Sequence, residues 1–336
     1  MLRGAIIGTG FWSHYQVAAW KEVQGVEIVA AYNRTLSKAE ALAKKFNIPA
    51  VYDEVQLMLN KEQVDFVDII TDVDTHHSYT LMAAQKGVNV ICQKPMAPSV
   101  DLAAAMLQAC NREGVQLFIH ENFRWQAPIR ALKKAMDSNV IGSAFKARVS
   151  FLSAFSVYNN QPFLAQLKRF IITDIGSHVL DICRYLFGEA RTLYCLTKKV
   201  NHNIKGEDVA NVLMEMESGL HCFAEMSYAS LLEKEAFPQT LILIEGDKGS
   251  LHLNNDFELK ITTQSGTTSS AIKPKLYSWV DPDYATVHSS IVDCNNDILK
   301  GLNGGKCETS GEDNFKTVQL VWACYESAEK KQVIFL

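Results

Sequence analysis

The stretch Gly4-Ala5-Ile6-Ile7-Gly8-Thr9-Gly10-Phe11-Trp12-Ser13 decides the fold of the first part of the chain. Its apolar residues predict a short buried strand, and the glycines predict a tight turn that opens a helix. Gly8 permits the turn and Gly10 lets the backbone approach a bound group, whereas Ser13 is larger than the glycine usual at the third position. A strand–helix turn without a ligand is the simpler interpretation. The position at the first strand of an alternating region nevertheless favours dinucleotide binding, with the phosphates at the helix N-terminus.

Residues 1–122 alternate short apolar runs with amphipathic stretches of helix length. The predicted strands are Gly4–Gly8, Glu27–Asn33, Asp65–Ile70, Val88–Cys92 and Val115–His120. The predicted helices are Trp12–Val23, Ser37–Phe46, Asp53–Leu59, Thr75–Lys86 and Ser99–Glu113. This alternation predicts an α/β domain with a parallel sheet, as in a Rossmann dinucleotide-binding domain.

Residues 123–336 change to a pattern in which strands follow one another. The predicted strands are Ala144–Leu152, Arg191–Lys199, Val209–Glu217, His221–Tyr228, Thr240–Glu245, Ser250–Leu253, Glu258–Thr262 and Val333–Phe335. The predicted helices are Thr173–Phe187, Val287–Leu302 and Glu312–Lys330, and Gln264–Ser270 is predicted to be a hairpin tip. This part is expected to be an α+β domain with a mainly antiparallel sheet, and its last helix is expected to reach back to the first domain.

The composition is that of a soluble protein with two domains, with 48% apolar and 21% charged residues over a length of 336. A net charge of −4 gives no reason to expect nucleic acid or an anionic membrane as partner. No apolar run has the length of a membrane span. The eight cysteines include no pair with the two-residue gap of a zinc or redox site, so we expect free thiols and a cytoplasmic location.

A polar pair, Asn33-Arg34, ends the second predicted strand. An NAD enzyme commonly carries an acid here, which binds the ribose 2′-hydroxyl and repels a 2′-phosphate. Asn33 bonds to a hydroxyl without repelling phosphate, and Arg34 can hold the phosphate. The pair favours tolerance of NADP and is compatible with NAD. Alternatively, Asn33 caps the turn and Arg34 points into solvent.

The stretch Thr173–Asp181 predicts a helix with a row of polar side chains. Asp174, His178 and Asp181 recur at i, i+4 and i+7, beside an apolar stripe that should face the core. Surroundings of this kind tune the pKa of a histidine, and Gly176 indicates that another group approaches the helix backbone. Structural alternatives are an N-cap role for Asp174, a hydrogen-bonded His178 and a surface Asp181. A divalent metal held by all three is disfavoured, because no other ligand cluster accompanies them.

A lysine and a proline follow a buried strand at Val90-Ile91-Cys92-Gln93-Lys94-Pro95-Met96. Proline fixes its own φ and favours an extended backbone for Lys94. Ligands of an open α/β sheet bind beyond the carboxyl ends of the strands, which is where Lys94 lies.

The glycine loop, the Lys94-Pro95 turn and the Asp174–Asp181 helix occur in the order and approximate spacing of one known family. With Ser310-Gly311-Glu312-Asp313 before the last helix, the chain resembles the glucose–fructose oxidoreductase and inositol dehydrogenase family over nearly its whole length. The resemblance implies a Rossmann domain followed by an α+β domain with a large open-faced sheet, often used for dimerisation, and hence a homodimer or homotetramer. It also implies an NAD(P)-dependent oxidoreductase that transfers hydride between a sugar or polyol hydroxyl and nicotinamide.

The same resemblance implies roles for individual residues. Lys94 corresponds to the lysine that reaches nicotinamide ribose and substrate hydroxyl, His178 to the proton-transferring histidine, and Asp174 to an acid that binds substrate or orients the pair. An imidazole can take the hydroxyl proton as hydride leaves, and an ammonium group stabilises the developing alkoxide. The implied cofactor contacts are Gly8, Gly10, Phe11, Trp12, Asn33, Arg34, Thr71, His76, Gln93 and Lys94.

Two positions depart from the family pattern. Gln93 replaces a glutamate that commonly helps hold the nicotinamide ribose, so the negative charge beside Lys94 is lost. The segment Thr71–His77 lacks the proline that often follows the threonine, although His76 matches a recurrent histidine expected to be structural or near the cofactor.

The implied substrate is a carbohydrate. Arg124 and Trp125 offer hydrogen bonds and a flat apolar face for a sugar ring, and Tyr158–Gln161 is a polar loop able to reach hydroxyls. Gln-Lys-Pro-Met together with Asn-Phe-Arg-Trp-Gln-Ala-Pro resembles the aldose dehydrogenases of the D-apiose type. Two other functions are compatible with the fold, an NAD-dependent glycoside hydrolase and a non-catalytic nucleotide-sensing regulator. The regulator has no need of a lysine, a histidine and an acid together.

Overall fold

The computed structural model describes residues 1–336 and divides them into two compact units. The first unit comprises residues 1–122, 277–280 and 291–318. The second unit comprises residues 123–276, 281–290 and 319–336. The chain therefore passes from the first unit to the second after Asn122, and short later segments return to the first.

The first unit is built on a parallel sheet with helical connections. Its strands are β1 (Leu2–Ile7), β2 (Val26–Tyr32), β3 (Ala50–Tyr52), β4 (Phe66–Ile69), β5 (Asn89–Gln93) and β6 (Leu117–His120). Its helices are α1 (Phe11–Glu22), α2 (Leu36–Phe46), α3 (Val55–Lys61), α4 (Val73–Ala84) and α5 (Val100–Glu113). The strand order is β3-β2-β1-β4-β5-β6, so the order reverses between β1 and β4, where open sheets of this kind bind their ligands. The predicted α/β fold is confirmed, and the short strand β3 was missed.

The second unit is built on a sheet of nine strands. The elements of the second half of the chain are α6 (Ala127–Asp137), β7 (Ala144–Leu152), α7 (Ile175–Phe187), β8 (Ala190–Lys198), β9 (Val209–Met216), β10 (His221–Ser227), β11 (Leu241–Gly246), β12 (Gly249–Leu253), β13 (Glu258–Thr263), β14 (Gly266–Ala271), α8 (Ala285–Leu302), α9 (Gly311–Lys330) and β15 (Ile334–Phe335). The strand order is β14-β13-β12-β11-β7-β10-β9-β8-β15, and only β7 and β10 pair in parallel. The predicted open-faced, mainly antiparallel sheet is confirmed.

Two sequence predictions in this half need correction. The segment Gln264–Ser270 is more than a hairpin tip, because β14 begins at Gly266 and pairs along its length with β13. Its serines and threonines are exposed, so it carries no apolar pattern that would have identified a strand. The helix α6 was also missed, although Pro128 in its first turn is a common start signal.

The helix α7 packs on one face of the second sheet, against β10 and β7. Its predicted apolar stripe is buried, formed by Ile175, Val179, Ile182 and Leu186. A Cβ at Gly176 would lie 3.0 Å from the Met226 sulfur and 3.1 Å from the Ile171 carbonyl oxygen. The expectation that another group approaches the helix backbone there is therefore confirmed, and the groups are the Met226 side chain of β10 and the backbone of Ile171. None of the helices combines the length and the apolar character needed to span a membrane.

The turn after β1 uses its two glycines differently. Gly8 has φ +102°, and a Cβ there would lie 2.6 Å from the carbonyl oxygen of Ile70. Gly10 has φ −83°, which any residue adopts, and no atom lies within 4 Å of its Cβ position. Gly8 is therefore required by the packing of the loop against the end of β4, whereas Gly10 leaves space beside the first turn of α1.

A buried carboxylate lies between β4 and α1. Asp68, in β4, is fully buried and accepts hydrogen bonds from Trp20 Nε1 at 2.8 Å and from Gln16 Nε2 at 3.0 Å. Burial raises the pKa of Asp68 to about 6, against the opposing effect of the two hydrogen bonds. The group is therefore mostly ionised at neutral pH inside the first unit.

Alanine at the two glycines is expected to separate their roles. Gly8→Ala should lower the free energy of unfolding by about 2 kcal/mol or more, because the new side chain meets backbone in a left-handed conformation. Gly10→Ala should change it by no more than about 0.5 kcal/mol, because its side chain enters open space. Urea unfolding monitored by tryptophan fluorescence measures both. Equal losses in the two variants would contradict this account of the turn.

The stability of the protein is expected to carry a pH dependence that comes from Asp68. Its folded-state pKa is raised, so its contribution is full below about pH 3, where the group is protonated in both states, and is lost as the pH rises through about 6. The unfolding free energy of the wild type minus that of Asp68→Asn should fall by about 2 kcal/mol between about pH 4 and pH 7. Asp65→Asn, at an exposed position beside β4, is the matched control. A constant difference for Asp68→Asn would refute the assignment.

Candidate active site

The glycine loop has the shape that a dinucleotide requires. Gly10 is the N-cap of α1 and supplies no side-chain cap, and the space beside it is open. The Ser13 hydroxyl donates to the Gly10 carbonyl at 2.6 Å, so the larger third residue is accommodated by bonding to the loop itself. The first turn of α1 carries Phe11 and Trp12 in edge-to-face contact, with ring centroids 5.3 Å apart. The loop fits a pyrophosphate, held by backbone N–H groups at the helix N-terminus.

Of the polar pair at the end of β2, Asn33 bonds within its own turn and Arg34 is exposed to solvent. The Asn33 side-chain oxygen accepts the Thr35 N–H at 2.9 Å, which is the turn-capping role that the sequence left open. This bond leaves the Asn33 amide nitrogen, a donor, as the end that can meet a ribose hydroxyl or a phosphate oxygen.

His76 connects two loops at the carboxyl edge of the first sheet. The ring is buried, with Nε2 3.0 Å from the Thr71 carbonyl oxygen and Nδ1 3.1 Å from the Pro95 carbonyl oxygen. Burial lowers the pKa of His76, although bonds to the carbonyls oppose the shift. The ring thus fixes the turn after Lys94 to the loop that follows β4, and the Lys94–Pro95 peptide in that turn is cis.

Gln93 ends β5 directly before Lys94, and both are half-buried. The Gln93 amide nitrogen donates to Gln16 Oε1 at 2.8 Å, and Gln16 in turn donates to Asp68. The residue that departs from the family pattern is therefore held by a hydrogen bond to the helix of the glycine loop.

In the second unit, α7 presents His178 in a fixed plane. The imidazole is buried and stacks on the Phe123 ring, with centroids 3.7 Å apart and planes inclined by 10°. Stacking on one face fixes the tilt of the ring and leaves its nitrogens at the edge for hydrogen bonding.

Asp181 lies in a buried ion pair. Arg124 donates from Nε at 2.7 Å and from Nη2 at 2.5 Å to the two carboxylate oxygens, and Arg184 lies 4.0 Å away. The side chain is therefore a structural anchor of α7, and the alternative of a surface charge is wrong. No group of three or more His, Cys, Asp or Glu side chains is arranged to hold a metal ion.

The pairing of Arg124 bears on its expected contact with substrate. The guanidinium is buried and faces Asp181, and it also lies over the Tyr185 ring. Trp125 carries the Arg130 guanidinium 4.2 Å over its own ring. We infer that Arg124 positions Phe123 and α7, and direct contact of Arg124 and Trp125 with a sugar stays a prediction.

Asp174 precedes α7 but does not act as a side-chain cap. It occupies the N-cap position without a capping hydrogen bond, and its Oδ2 accepts from the Tyr228 hydroxyl at 3.2 Å. Burial, with Asp174 as the second cause, raises the pKa of Tyr228 well above its ordinary value, so Tyr228 stays a donor. The carboxylate is half-buried, and its negative charge acts on the hydroxyls of Tyr228 and Tyr284.

Tyr284 belongs to a cluster of aromatic rings that the sequence did not reveal. Phe155 stacks on Phe237 with centroids 4.1 Å apart, and both contact Tyr284 edge-on. The Asn160 amide donates to the Tyr284 hydroxyl at 3.4 Å, which connects the predicted polar loop to the cluster. Aromatic faces with polar groups at their rims are suited to sugar rings. These residues lie far apart along the chain, so no local motif identifies them.

Comparison with known proteins places the chain among oxidoreductases. Residues 2–121 match the family model described as "Oxidoreductase family, NAD-binding Rossmann fold", and residues 129–252 match the "GFO/IDH/MocA C-terminal domain". The D-apiose dehydrogenase of Paraburkholderia graminis is 43% identical over 99% of this chain and 89% of its own length. The D-apiose dehydrogenase of Rhizobium rhizogenes is 41% identical over 99% of this chain and 97% of its own length.

A solved structure shows the same architecture. An oxidoreductase from Agrobacterium radiobacter, in complex with NAD+, L-tartaric acid and magnesium, superposes with a TM-score of 0.97. The sequences are 40% identical, and the match covers 99% of this chain and 98% of that one. The chain belongs to the Gfo/Idh/MocA family of NAD-binding oxidoreductases.

Proposed function

We propose that this enzyme oxidises a hydroxyl group of an aldose with NAD as hydride acceptor, and that D-apiose or a close analogue is its substrate. The observation that carries the proposal is the arrangement at the start of α7. A histidine fixed by stacking lies in α7, and a carboxylate paired with a tyrosine lies at the N-cap of the same helix. The similarity to two D-apiose dehydrogenases supports the choice of sugar.

Three residues of the chain have separate roles in the proposed reaction. Bound nicotinamide supplies the site that accepts the hydride. His178 takes the proton of the substrate hydroxyl at an edge nitrogen, and the Lys94 ammonium stabilises the alkoxide that develops. Asp174 accepts hydrogen bonds from sugar hydroxyls. A glycoside hydrolase or a nucleotide-sensing regulator is not favoured, because the full-length relatives are dehydrogenases.

The preferred dinucleotide is inferred to be NAD, because the 40% identical Agrobacterium radiobacter oxidoreductase was solved with NAD+, and NADP is expected to be tolerated. The amide nitrogen of Asn33 donates equally well to a hydroxyl and to a phosphate oxygen, and Arg34 adds a positive charge. No carboxylate stands at the end of β2 to repel a 2′-phosphate. We also infer a cytoplasmic, reducing location, because the eight cysteines are scattered along the chain without the paired spacing of a disulfide framework, and all are buried.

The open face of the second sheet is inferred to bind a second copy of the chain. A row of outward residues runs across five strands in register, namely Tyr194, Leu213, Phe223, Arg148 and Leu243. Leu213 is 45% exposed although it lies at the centre of a strand. Arg148 within the row pairs with Glu225, and Lys146 beside the row pairs with Glu245, so the face combines apolar side chains with balanced charges, as self-complementary interfaces do.

An assay with D-apiose tests the enzymatic proposal. We expect NAD reduction, followed at the nicotinamide absorbance, with a higher kcat/KM for NAD than for NADP. His178→Asn and Lys94→Met should each lower kcat by about a hundredfold or more. His221→Asn and Lys86→Met are matched controls at exposed positions and should leave kcat unchanged. The proposal fails if a panel of aldoses gives no turnover, or if both site variants keep the activity of the wild type.

The oligomer proposal is tested on the protein surface. Leu213→Glu should shift the particle mass by light scattering towards that of one chain, because a charge enters the apolar row. Leu231→Glu, at a position 91% exposed outside the strands, should leave the mass unchanged. A wild type that is monomeric at all concentrations, or a Leu213→Glu variant with unaltered mass, would exclude this interface.

A further inference from the structure

A chain of polar side chains links the interior of the first unit to the residue before Lys94. Asp68 in β4 accepts from Gln16 Nε2 at 3.0 Å, and Gln16 Oε1 accepts from Gln93 Nε2 at 2.8 Å. Asp68 and Gln16 are buried, and Gln93 is half-buried at the carboxyl end of β5. This series of hydrogen bonds thus joins β4, α1 and β5 through their side chains.

The direction of this chain of hydrogen bonds is set at its buried end. An ionised carboxylate only accepts, so Gln16 must turn its NH2 group towards Asp68 and its oxygen towards Gln93. The Gln16 oxygen only accepts, so Gln93 must turn its own NH2 group inwards. The outer end of Gln93 is then its carbonyl oxygen, an acceptor.

We propose that Asp68, acting through Gln16, orients Gln93 so that its carbonyl oxygen accepts a hydrogen bond from a hydroxyl of the nicotinamide ribose. The inference rests on the proposed contact between Gln93 and the bound dinucleotide. Asp68 and Gln16 are positioning residues, and Gln93 keeps the acceptor that a glutamate would supply while it removes the charge.

The same geometry explains why glutamine rather than glutamate stands at position 93. A glutamate there would place a carboxylate against Gln16 Oε1, acceptor against acceptor. Turning the Gln16 amide would relieve that contact and would place Oε1 against Asp68 instead. One amide cannot present a donor end to each of two carboxylates at its opposite ends, so an acid at position 68 requires a donor at position 93.

The substitution Asp68→Asn should remove the constraint on the direction of these hydrogen bonds. Trp20 Nε1 and Gln16 Nε2 both donate to Asp68 Oδ2, so the oxygen of the introduced amide can keep both donors, whereas its nitrogen, in the place of Oδ1, can donate to Gln16 Oε1 once the Gln16 amide turns. A turned Gln16 donates to position 93. In this background a glutamate at position 93 would accept from Gln16 and would again present an acceptor outwards. Gln93→Glu should therefore be harmful beside Asp68 and much less harmful in the Asp68→Asn background.

The test is the affinity of the purified, cofactor-free enzyme for NAD, measured by calorimetry, in the wild type, Asp68→Asn, Gln93→Glu and the double variant. Gln93→Glu alone should weaken binding by about tenfold, whereas its addition to Asp68→Asn should change the affinity by no more than about threefold. Asp65→Asn should bind as the wild type does. Additive losses in the double variant would overturn the proposal.

A second probe reports the outer end of Gln93 directly. An NAD analogue with fluorine in place of the nicotinamide ribose 2′-hydroxyl, and the matching 3′-fluoro analogue, cannot donate at the replaced position. The wild type should bind at least one of them about tenfold more weakly than NAD, and Asp68→Asn should discriminate less. Gln16→Met removes the hydrogen bonds from position 16 to Asp68 and Gln93, while Trp20 still donates to Asp68. This variant should also discriminate less between NAD and the fluoro analogues, and it serves as the test if Asp68→Asn does not fold. Unaltered discrimination in the variants would overturn the proposal. Both readouts are independent of the sugar, so an inactive enzyme with the expected binding cycle would refute only the proposed substrate.

Discussion

A buried carboxylate must be met by donors, and in this chain the donors that bond to two buried aspartates hold the functional side chains in place. Asp68 recruits Trp20 and Gln16, which fixes α1 against β4 behind the glycine loop. Asp181 recruits Arg124 with two hydrogen bonds, which fixes the segment carrying Phe123 against α7. Removing one partner of such a buried pair leaves an uncompensated charge, so these contacts are more constraining than the many ion pairs at the surface.

The consequence for His178 follows from this anchoring. Phe123 and Arg124 are adjacent, so the bond of Arg124 to Asp181 brings the Phe123 ring to the helix, where it stacks on the imidazole. Asp181 and His178 are three residues apart and lie on the same side of α7, which places the anchor and the proposed base side by side. Asp181 therefore anchors α7 beside the histidine, and the acid that meets a tyrosine hydroxyl is Asp174.

The sequence predicted the parts of the fold that local pattern controls. Strand–helix alternation and the glycine turn specified the first sheet, and the boundaries of most elements shifted by no more than two residues. Strand β14 was missed because both its faces are polar and exposed, and β3 because three residues carry no period. The site was accessible only where a motif is continuous, as at Gly8–Gly10, Gln93–Pro95 and Asp174–Asp181. The partners of those motifs, such as Tyr228 and Gln16, lie far along the chain and are selected by tertiary packing, which spacing does not encode.

Gln93 shows how such a distant partner changes the meaning of a motif. Within its own motif, Gln93 is a neutral residue in the place of the charged glutamate of the family pattern. Considered with Asp68 and Gln16, it is a residue that donates inwards and accepts outwards, which a glutamate cannot do. The bond from Gln16 to Gln93 also ties the helix that begins at the glycine loop to the strand that ends at Lys94. The elements expected to hold the pyrophosphate and the nicotinamide ribose are thereby connected through the Gln16 amide. This amide is rigid and bonds to both Asp68 and Gln93, so a displacement of α1 should also displace the side chain of Gln93.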